Sequence, residues 1–313
     1  MISRFTRPVA YGCVTPSFGL MFLLIGATPR QAVAQVPGVE HVVVIGVDGL
    51  SPEGIRRAKT PVLHRMMADG ASTLHARGVM PTVSSPNWAS MIMGAGPEQH
   101  GVLSNDWKPG PGPITPTVVG PGGIFPTVFG LLRQQRPSSK IGCFHDWDGF
   151  GRLVERDVCD RIAHTKGPVE TTNQAIAFLK EQRPSLLFIH LDHVDHAGHQ
   201  HGHGTPQYDS AVEEADRLIG LVLAALRDSG MADHSLVLVT SDHGGKGKGH
   251  GGSTMGEIEI PWIIQGRGVV PGRELSATVN TYDTAATIAY ALGLTPPKGW
   301  IARPVLDAFA GSK

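Results

Sequence analysis

Residues 41–49 read HVVVIGVDG, a continuous β-branched run that stops at Asp48-Gly49. Unbroken apolar residues without alternation describe a strand covered on both faces, as in a parallel sheet. Its carboxyl end carries Asp48. The same pattern returns twice. Residues 185–191 (SLLFIHL) run into a His- and Asp-rich stretch, and residues 235–240 (SLVLVT) run into Ser241-Asp242-His243-Gly244.

Between these strands lie segments with helical periodicity. Thr60-Pro61 opens one over 60–68, and Ser85-Pro86 opens another over 87–93, with Ser85 as its expected cap. Further helices are expected at 127–135, 171–182 and 282–292. The longest, over 208–229, places Val212, Ala215, Ile219, Val222 and Leu226 on one face. Residues 140–144 and 261–265 read as additional strands, and the Pro/Gly-rich stretch 109–123 as a loop. Strands alternating with helices predict an α/β sandwich: a mostly parallel central sheet with helices on both faces. Such sheets build their sites at the carboxyl edge.

The first residues read as a secretory signal peptide. Arg4 and Arg7 precede a short apolar run at 18–27 (FGLMFLLIGA), and Ala32-Val33-Ala34 offers a cleavage site. The run is short of the roughly 20 residues a membrane span needs. The expected organisation is therefore residues 1–34 as leader and 35–313 as one catalytic domain in a periplasmic or secreted protein. Lys and Arg number 27, Asp and Glu 27, and no basic stripe appears, so a nucleic-acid surface is not expected. In an exported protein, Cys143 and Cys159 are expected to form a disulfide.

Four segments carry chemistry. Asp48 ends the first strand; alone, it could serve only as a turn cap. PTVSSPNW (81–88) puts hydroxyls at a helix N-terminus, where free N–H groups favour an alkoxide and a phosphate. Ser84 is the expected nucleophile, ahead of Thr82 and Ser85. HLDHVDHAGHQHGHG (190–204) holds six histidines, with Asp195 and His199 four apart. SDHGGKGKGHGG (241–252) places Asp242 beside His243 and sets His250 across a glycine-rich loop. Asp and His together suit zinc.

PTVSSPNW followed by GPEQHG resembles the nucleophile motif of the nucleotide pyrophosphatase/phosphodiesterase family, within the alkaline phosphatase superfamily. DHAGH and SDHGG…GHGG resemble its metal motifs, in the same order along the chain. The resemblance implies an alkaline-phosphatase-like sandwich. It also implies two zinc ions, one held by Asp48, Asp242 and His243 beside Ser84, the other by Asp195, His199 and His250. It further implies that Asn87 donates to a non-bridging phosphate oxygen. Three features depart from the family pattern: Ser84 where these diesterases usually carry Thr, a short stretch between His243 and His250, and no large substrate-binding insertion.

The expected activity is hydrolysis of a small-molecule phosphate ester through a phosphoseryl intermediate, with a diester preferred because no arginine neighbours Ser84 in sequence. An arginine such as Arg152 could still arrive from elsewhere. A phosphomonoesterase and a sulfatase are the rival enzymes, although Trp88 stands where the sulfatase motif needs Arg. A non-catalytic, His-rich zinc-binding protein is the alternative of another class. Trp107, Phe144 and Trp147 are candidate walls of a leaving-group pocket.

Overall fold

A computed structural model describes residues 35–311 and a few isolated positions among the first twelve. The apolar run and cleavage site of the expected leader lie outside the described residues. Among the described residues, no helix is long and apolar enough to cross a membrane.

Eight strands are described: β1 (His41–Val47), β2 (Ala71–Arg77), β3 (Ile141–His145), β4 (Arg161–His164), β5 (Leu186–Leu191), β6 (Ser235–Thr240), β7 (Glu259–Gly266) and β8 (Arg273–Glu274). They form one sheet in the order β4-β3-β5-β1-β6-β7-β2-β8. All neighbouring pairs are parallel except those of β7, which runs antiparallel to β6 and β2. The helices are α1 (Pro52–Arg57), α2 (Pro61–Asp69), α3 (Ser84–Met93), α4 (Pro97–His100), α5 (Val128–Gln135), α6 (Asp148–Gly151), α7 (Pro168–Gln182), α8 (His193–His201), α9 (Pro206–Asp228), α10 (Met255–Ile258) and α11 (Asp283–Ala291).

The alternation of side chains along β1 shows why the sheet is covered twice. Val42 and Val44 join an apolar cluster with α3, α5 and α11, whereas Val43, Ile45 and Val47 join one with α7 and α9. The expected sandwich with helices on both faces is the observed architecture. β2, β4 and β8 were not anticipated, because ASTLHAR and RIAH are too polar to announce a strand and β8 has only two residues.

Two local expectations are corrected. Ser85 is not the cap of α3: the helix begins at Ser84, with Val83, two residues before Ser85, at the N-cap position and no side-chain cap of its own. Cys143 and Cys159 are free thiols. The segment between them is already held by non-covalent contacts: the Asp160 N–H donates to the Ile141 carbonyl, and Arg133 Nε donates to the Val158 carbonyl. Burial, helped by the Glu155 carboxylate, pushes the Cys159 thiol up to about 12, so it stays protonated.

Gly46 decides how α3 meets the sheet. A Cβ there would lie 2.5 Å from the Trp88 ring, which is fully buried and has no room to retreat. Gly46→Ala is expected to destabilise the protein by about 2 kcal/mol, as overpacking does. Urea unfolding measures it; a midpoint equal to that of the parent would show that the ring can move aside.

Candidate metal and nucleophile site

The chemistry-bearing residues gather at the carboxyl ends of four adjacent strands. Asp146 follows β3, Asp192 follows β5, Asp48 follows β1, and Asp242 and His243 follow β6. The helical stretch after β5, α8, puts Asp195 and His199 one turn apart on one face, with the carboxylate 3.3 Å from the imidazole Nε2. The loop after β6 returns His250 to the same place.

Two clusters result. Ligand atoms of Asp48, Asp242 and His243 lie within 4.8 Å of one another, as do those of Asp195, His199 and His250. A fourth carboxylate, Asp192, has a ligand atom within 4.8 Å of those of Asp48 and Asp195. His243 Nε2 is 3.4 Å from Asp48 Oδ1 and 3.2 Å from Asp242 Oδ2. His243 and His250 stack with ring centroids 3.7 Å apart, which joins the clusters into one centre.

The tautomers are set by the backbone. His243 Nδ1 meets the Gly244 carbonyl at 2.8 Å, His250 Nδ1 the Thr82 carbonyl at 2.8 Å, and His199 Nδ1 the Lys248 carbonyl at 2.9 Å. A carbonyl only accepts, so each Nδ1 carries the proton and each Nε2 presents a lone pair to the centre. His250 Nε2 and His199 Nε2 then face each other at 3.1 Å, lone pair to lone pair. A cation between them removes that conflict.

The carboxylates make the same demand. Asp48 Oδ1, Asp195 Oδ1 and Asp242 Oδ2 are buried and have no hydrogen-bond partner. Burial, then repulsion from Asp48, pushes Asp242 and Asp195 above the ordinary carboxylate range. The same two causes bring Asp192 up to about 8. Asp48 goes the other way: burial raises it, but the charged His190 beside it, helped by the Trp88 indole N–H, outweighs burial and holds it at about 2. His190 is itself fully buried, 3.3 Å from Asp48 and 3.5 Å from Asp146; these two carboxylates overcome its burial and raise it to about 10. Buried oxygens and imidazole lone pairs converging in this way fit two divalent cations.

Ser84 occupies the first position of α3, is buried, and places its Oγ 3.3 Å from His243 Nε2. The rival hydroxyl of Thr82 is otherwise engaged. The Thr82 hydroxyl donates to the Gly252 carbonyl at 2.7 Å and accepts from the Gly251 N–H, tying the His250 loop to the loop before α3. One turn after Ser84, Trp88 lies under the site, and its indole N–H donates to Asp48 Oδ2 at 2.9 Å.

Asn87 does not play the part that the family resemblance gave it. It is fully buried; its amide nitrogen donates to the carbonyls of Val79, Pro81 and Val83, and its oxygen accepts from the Val79 N–H. It braces the loop before α3 and has no donor left for a substrate. The carboxamide beside the nucleophile is Asn105. Its oxygen accepts from the Ser85 N–H at 2.8 Å, which caps α3 from outside and leaves the Asn105 NH2 free for another acceptor.

Sequence reading missed Asn105, Asp192 and Asp146. The two aspartates each follow a buried strand, the signal that had picked out Asp48. Asn105 stands in a loop without periodicity, and nothing local marks it. Of the remaining histidines, His203 wedges between Gly198 and Gly245, and His196 and His201 are exposed. Phe144 is a core residue packed on Phe178, whereas Trp107 and Trp147 are half-buried at the edge of the apolar cluster, Trp147 stacking on His190.

Comparison with known proteins places this geometry. Among solved structures, murine ectonucleotide pyrophosphatase/phosphodiesterase 5, an inactive form in complex with AMP, shares the fold with a TM-score of 0.69 at 15% identity, over 82% of this chain and 96% of that one. Alkaline phosphatase PafA does so with a TM-score of 0.71 at 12% identity, over 88% of this chain and 100% of that one. Among curated proteins, steryl-sulfatase of Rattus norvegicus is 35% identical over 154 residues, 40% of this chain and 26% of that protein. Ectonucleotide pyrophosphatase/phosphodiesterase family member 1 of Mus musculus is 24% identical over 199 residues, 59% of this chain and 21% of that protein. The chain thus spans about a quarter or less of the length of these two curated relatives. Residues 42–119 and 131–247, most of the chain from β1 to the metal loop, match the type I phosphodiesterase / nucleotide pyrophosphatase family, and the chain belongs to that family.

Proposed function

We propose that the chain is an exported di-zinc phosphoester hydrolase, a phosphodiesterase or nucleotide pyrophosphatase that works through a phosphoseryl intermediate. The observation that carries this reading is the Ser84 hydroxyl at the start of α3, 3.3 Å from His243 Nε2 at the junction of the two clusters. Asp48, Asp242 and His243 would hold one zinc, and Asp195, His199 and His250 the other. Bound there, the ions would supply charge neutralisation and Lewis acidity.

The chain's own groups do the rest. Ser84 is the first residue of α3, and the positive end of that helix dipole lowers the cost of an alkoxide there. Ser84 Oγ attacks phosphorus, a P–Oγ bond forms, and the bond to the leaving alcohol breaks. Water then cleaves the phosphoseryl ester and restores the hydroxyl. The NH2 of Asn105 donates to a non-bridging oxygen, the task that Asn87 cannot perform. Trp147, which stacks on His190 beside the centre, and the half-buried Trp107 offer apolar surface to a leaving group such as a nucleoside. The AMP bound to the murine relative supports a nucleotide. The leader read from residues 1–34 supports export.

A panel of bis-p-nitrophenyl phosphate, p-nitrophenyl phosphate and p-nitrophenyl sulfate, with zinc added, tests the reading. The diester is expected to turn over, and Ser84→Ala to lower kcat by roughly 1,000-fold or more while keeping the fold. Acid quench should trap phosphate on the Ser84 peptide. A label on Thr82 or Ser85, undiminished turnover in Ser84→Ala, or preference for the sulfate contradicts it.

The two asparagines separate by the same assay. Asn105→Asp keeps the oxygen that caps α3 but loses the NH2 donor, and is expected to lower kcat/KM by about 100-fold with little change in urea midpoint. Asn87→Ala is expected to cost about 2 kcal/mol of stability through its lost backbone bonds. Full activity in Asn105→Asp would remove Asn105 from the site.

A further inference from the structure

β1 and β6 run side by side as a parallel ladder whose last paired residues are Gly46 and Thr240. Past that point the two chains carry Asp48 on one side and Asp242 with His243 on the other. Among the described residues, the bonds that join them beyond the ladder run through side chains. The Gly49 N–H donates to Asp242 Oδ1 at 3.2 Å. The Leu50 N–H donates to Ser241 Oγ at 3.0 Å, and the Ser241 hydroxyl donates in turn to the His243 carbonyl at 2.9 Å. One hydroxyl thus joins the turn that follows Asp48 to the main chain of His243. Tyr208 supports the same turn from α9: its hydroxyl donates to the Gly49 carbonyl at 2.7 Å and accepts from the Ser51 N–H at 3.0 Å. Ser241 and Tyr208 are both fully buried.

These bonds act where the two chains have most reason to part. Asp48 Oδ1 and Asp242 Oδ2 are buried and unpartnered, and the ligand atoms of Asp48, Asp242 and His243 crowd within 4.8 Å of one another. Like charges at that range repel, and a fixed link has to oppose them until a cation arrives. Ser241 Oγ is spent on the link: its proton goes to the His243 carbonyl and it accepts from the Leu50 N–H, so it serves neither as ligand nor as nucleophile. The other cluster has anchors of its own. Asp195 and His199 ride on α8, and His250 is held by the Thr82 carbonyl.

We propose that Ser241 is a positioning residue of the metal centre: by tying the Asp48 turn to His243, with Tyr208 as support, it pre-sets the three ligands of one cation and not those of the other. This rests on the two-cation reading and adds to it residues outside the ligand set.

The test measures the zinc affinity of the full chain, stripped of metal, by competition with a chelator, one cluster at a time. His199→Ala leaves Asp48, Asp242 and His243 as the intact cluster; His243→Ala leaves Asp195, His199 and His250. In the first background, Ser241→Ala is expected to weaken zinc binding about 10- to 100-fold, as loss of a group that orients ligands does. Tyr208→Phe, which removes only a hydroxyl, is expected to weaken it as well. In the second background neither substitution is expected to change the affinity. Equal weakening in both backgrounds would show that Ser241 serves only the fold, and unchanged affinity in the first would remove it from the centre; either result overturns the inference. Should Ser241→Ala not fold, Tyr208→Phe carries the comparison. A parent that binds two zinc ions but cleaves no ester overturns the hydrolase reading and leaves the part of Ser241 to these affinities; a parent that binds no zinc overturns both.

Discussion

The hydrogen bond from Trp88 to Asp48 ties the fold to its site. The bond needs the indole to lie on β1, and the ring fits there only because position 46 has no Cβ. It fixes one Asp48 oxygen and leaves the other facing the centre. The same indole belongs to α3, so the helix that carries Ser84 is registered against the strand that carries Asp48. Phe150, Phe188 and His190 close around the ring edge-on or tilted, with centroids 5.7, 6.2 and 4.7 Å from it. Packing and site geometry are here one interaction, and a change to either is felt by both.

Electrostatics supplies the second constraint. Asp48, Asp192, Asp195 and Asp242 converge in a largely buried space, and three imidazoles are held by main-chain carbonyls with their lone pairs inward. Coulomb repulsion at such range in a protein interior costs several kcal/mol unless offset by protons or cations. One offset is built in: His190 stands between Asp48 and Asp146 as an imidazolium. The rest of the centre is arranged for ions. The loop of His250 is secured accordingly, by Thr82 from one side and by Glu257, which accepts from the Gly252 and Thr254 N–H groups, from the other.

Much of this was legible in the sequence, for a physical reason. A strand buried on both faces must be apolar throughout, so HVVVIGV, LLFIHL and SLVLV announced the central sheet, and the polar residues at their ends announced its working edge. Strands at the sheet margin face water, so ASTLHAR and RIAH looked like nothing in particular. The grouping of Asp48 with Asp242 and His243, and of Asp195 with His199 and His250, came from the resemblance to the family's metal motifs. The misplaced reading of Asn87 has a different origin. The family role was carried onto the asparagine that follows Ser84 in the motif, but one helical turn carries Asn87 back into the loop that precedes it. Asn105, distant in sequence, comes to the helix start through the loop after α4. Arg152 likewise reaches the Asn105 loop from beyond α6, at the carbonyls of Trp107 and Asn105: contacts made by irregular loops leave no periodic trace.

The two-cation centre is the feature on which the proposed chemistry depends. Anomalous diffraction from crystals of the zinc-loaded protein, recorded at the zinc edge, addresses it most directly. Two peaks roughly 4 Å apart are predicted, one within reach of Asp48, Asp242 and His243 and the other of Asp195, His199 and His250. A single peak, or zinc bound only by the outlying histidines His196 and His201, would contradict it.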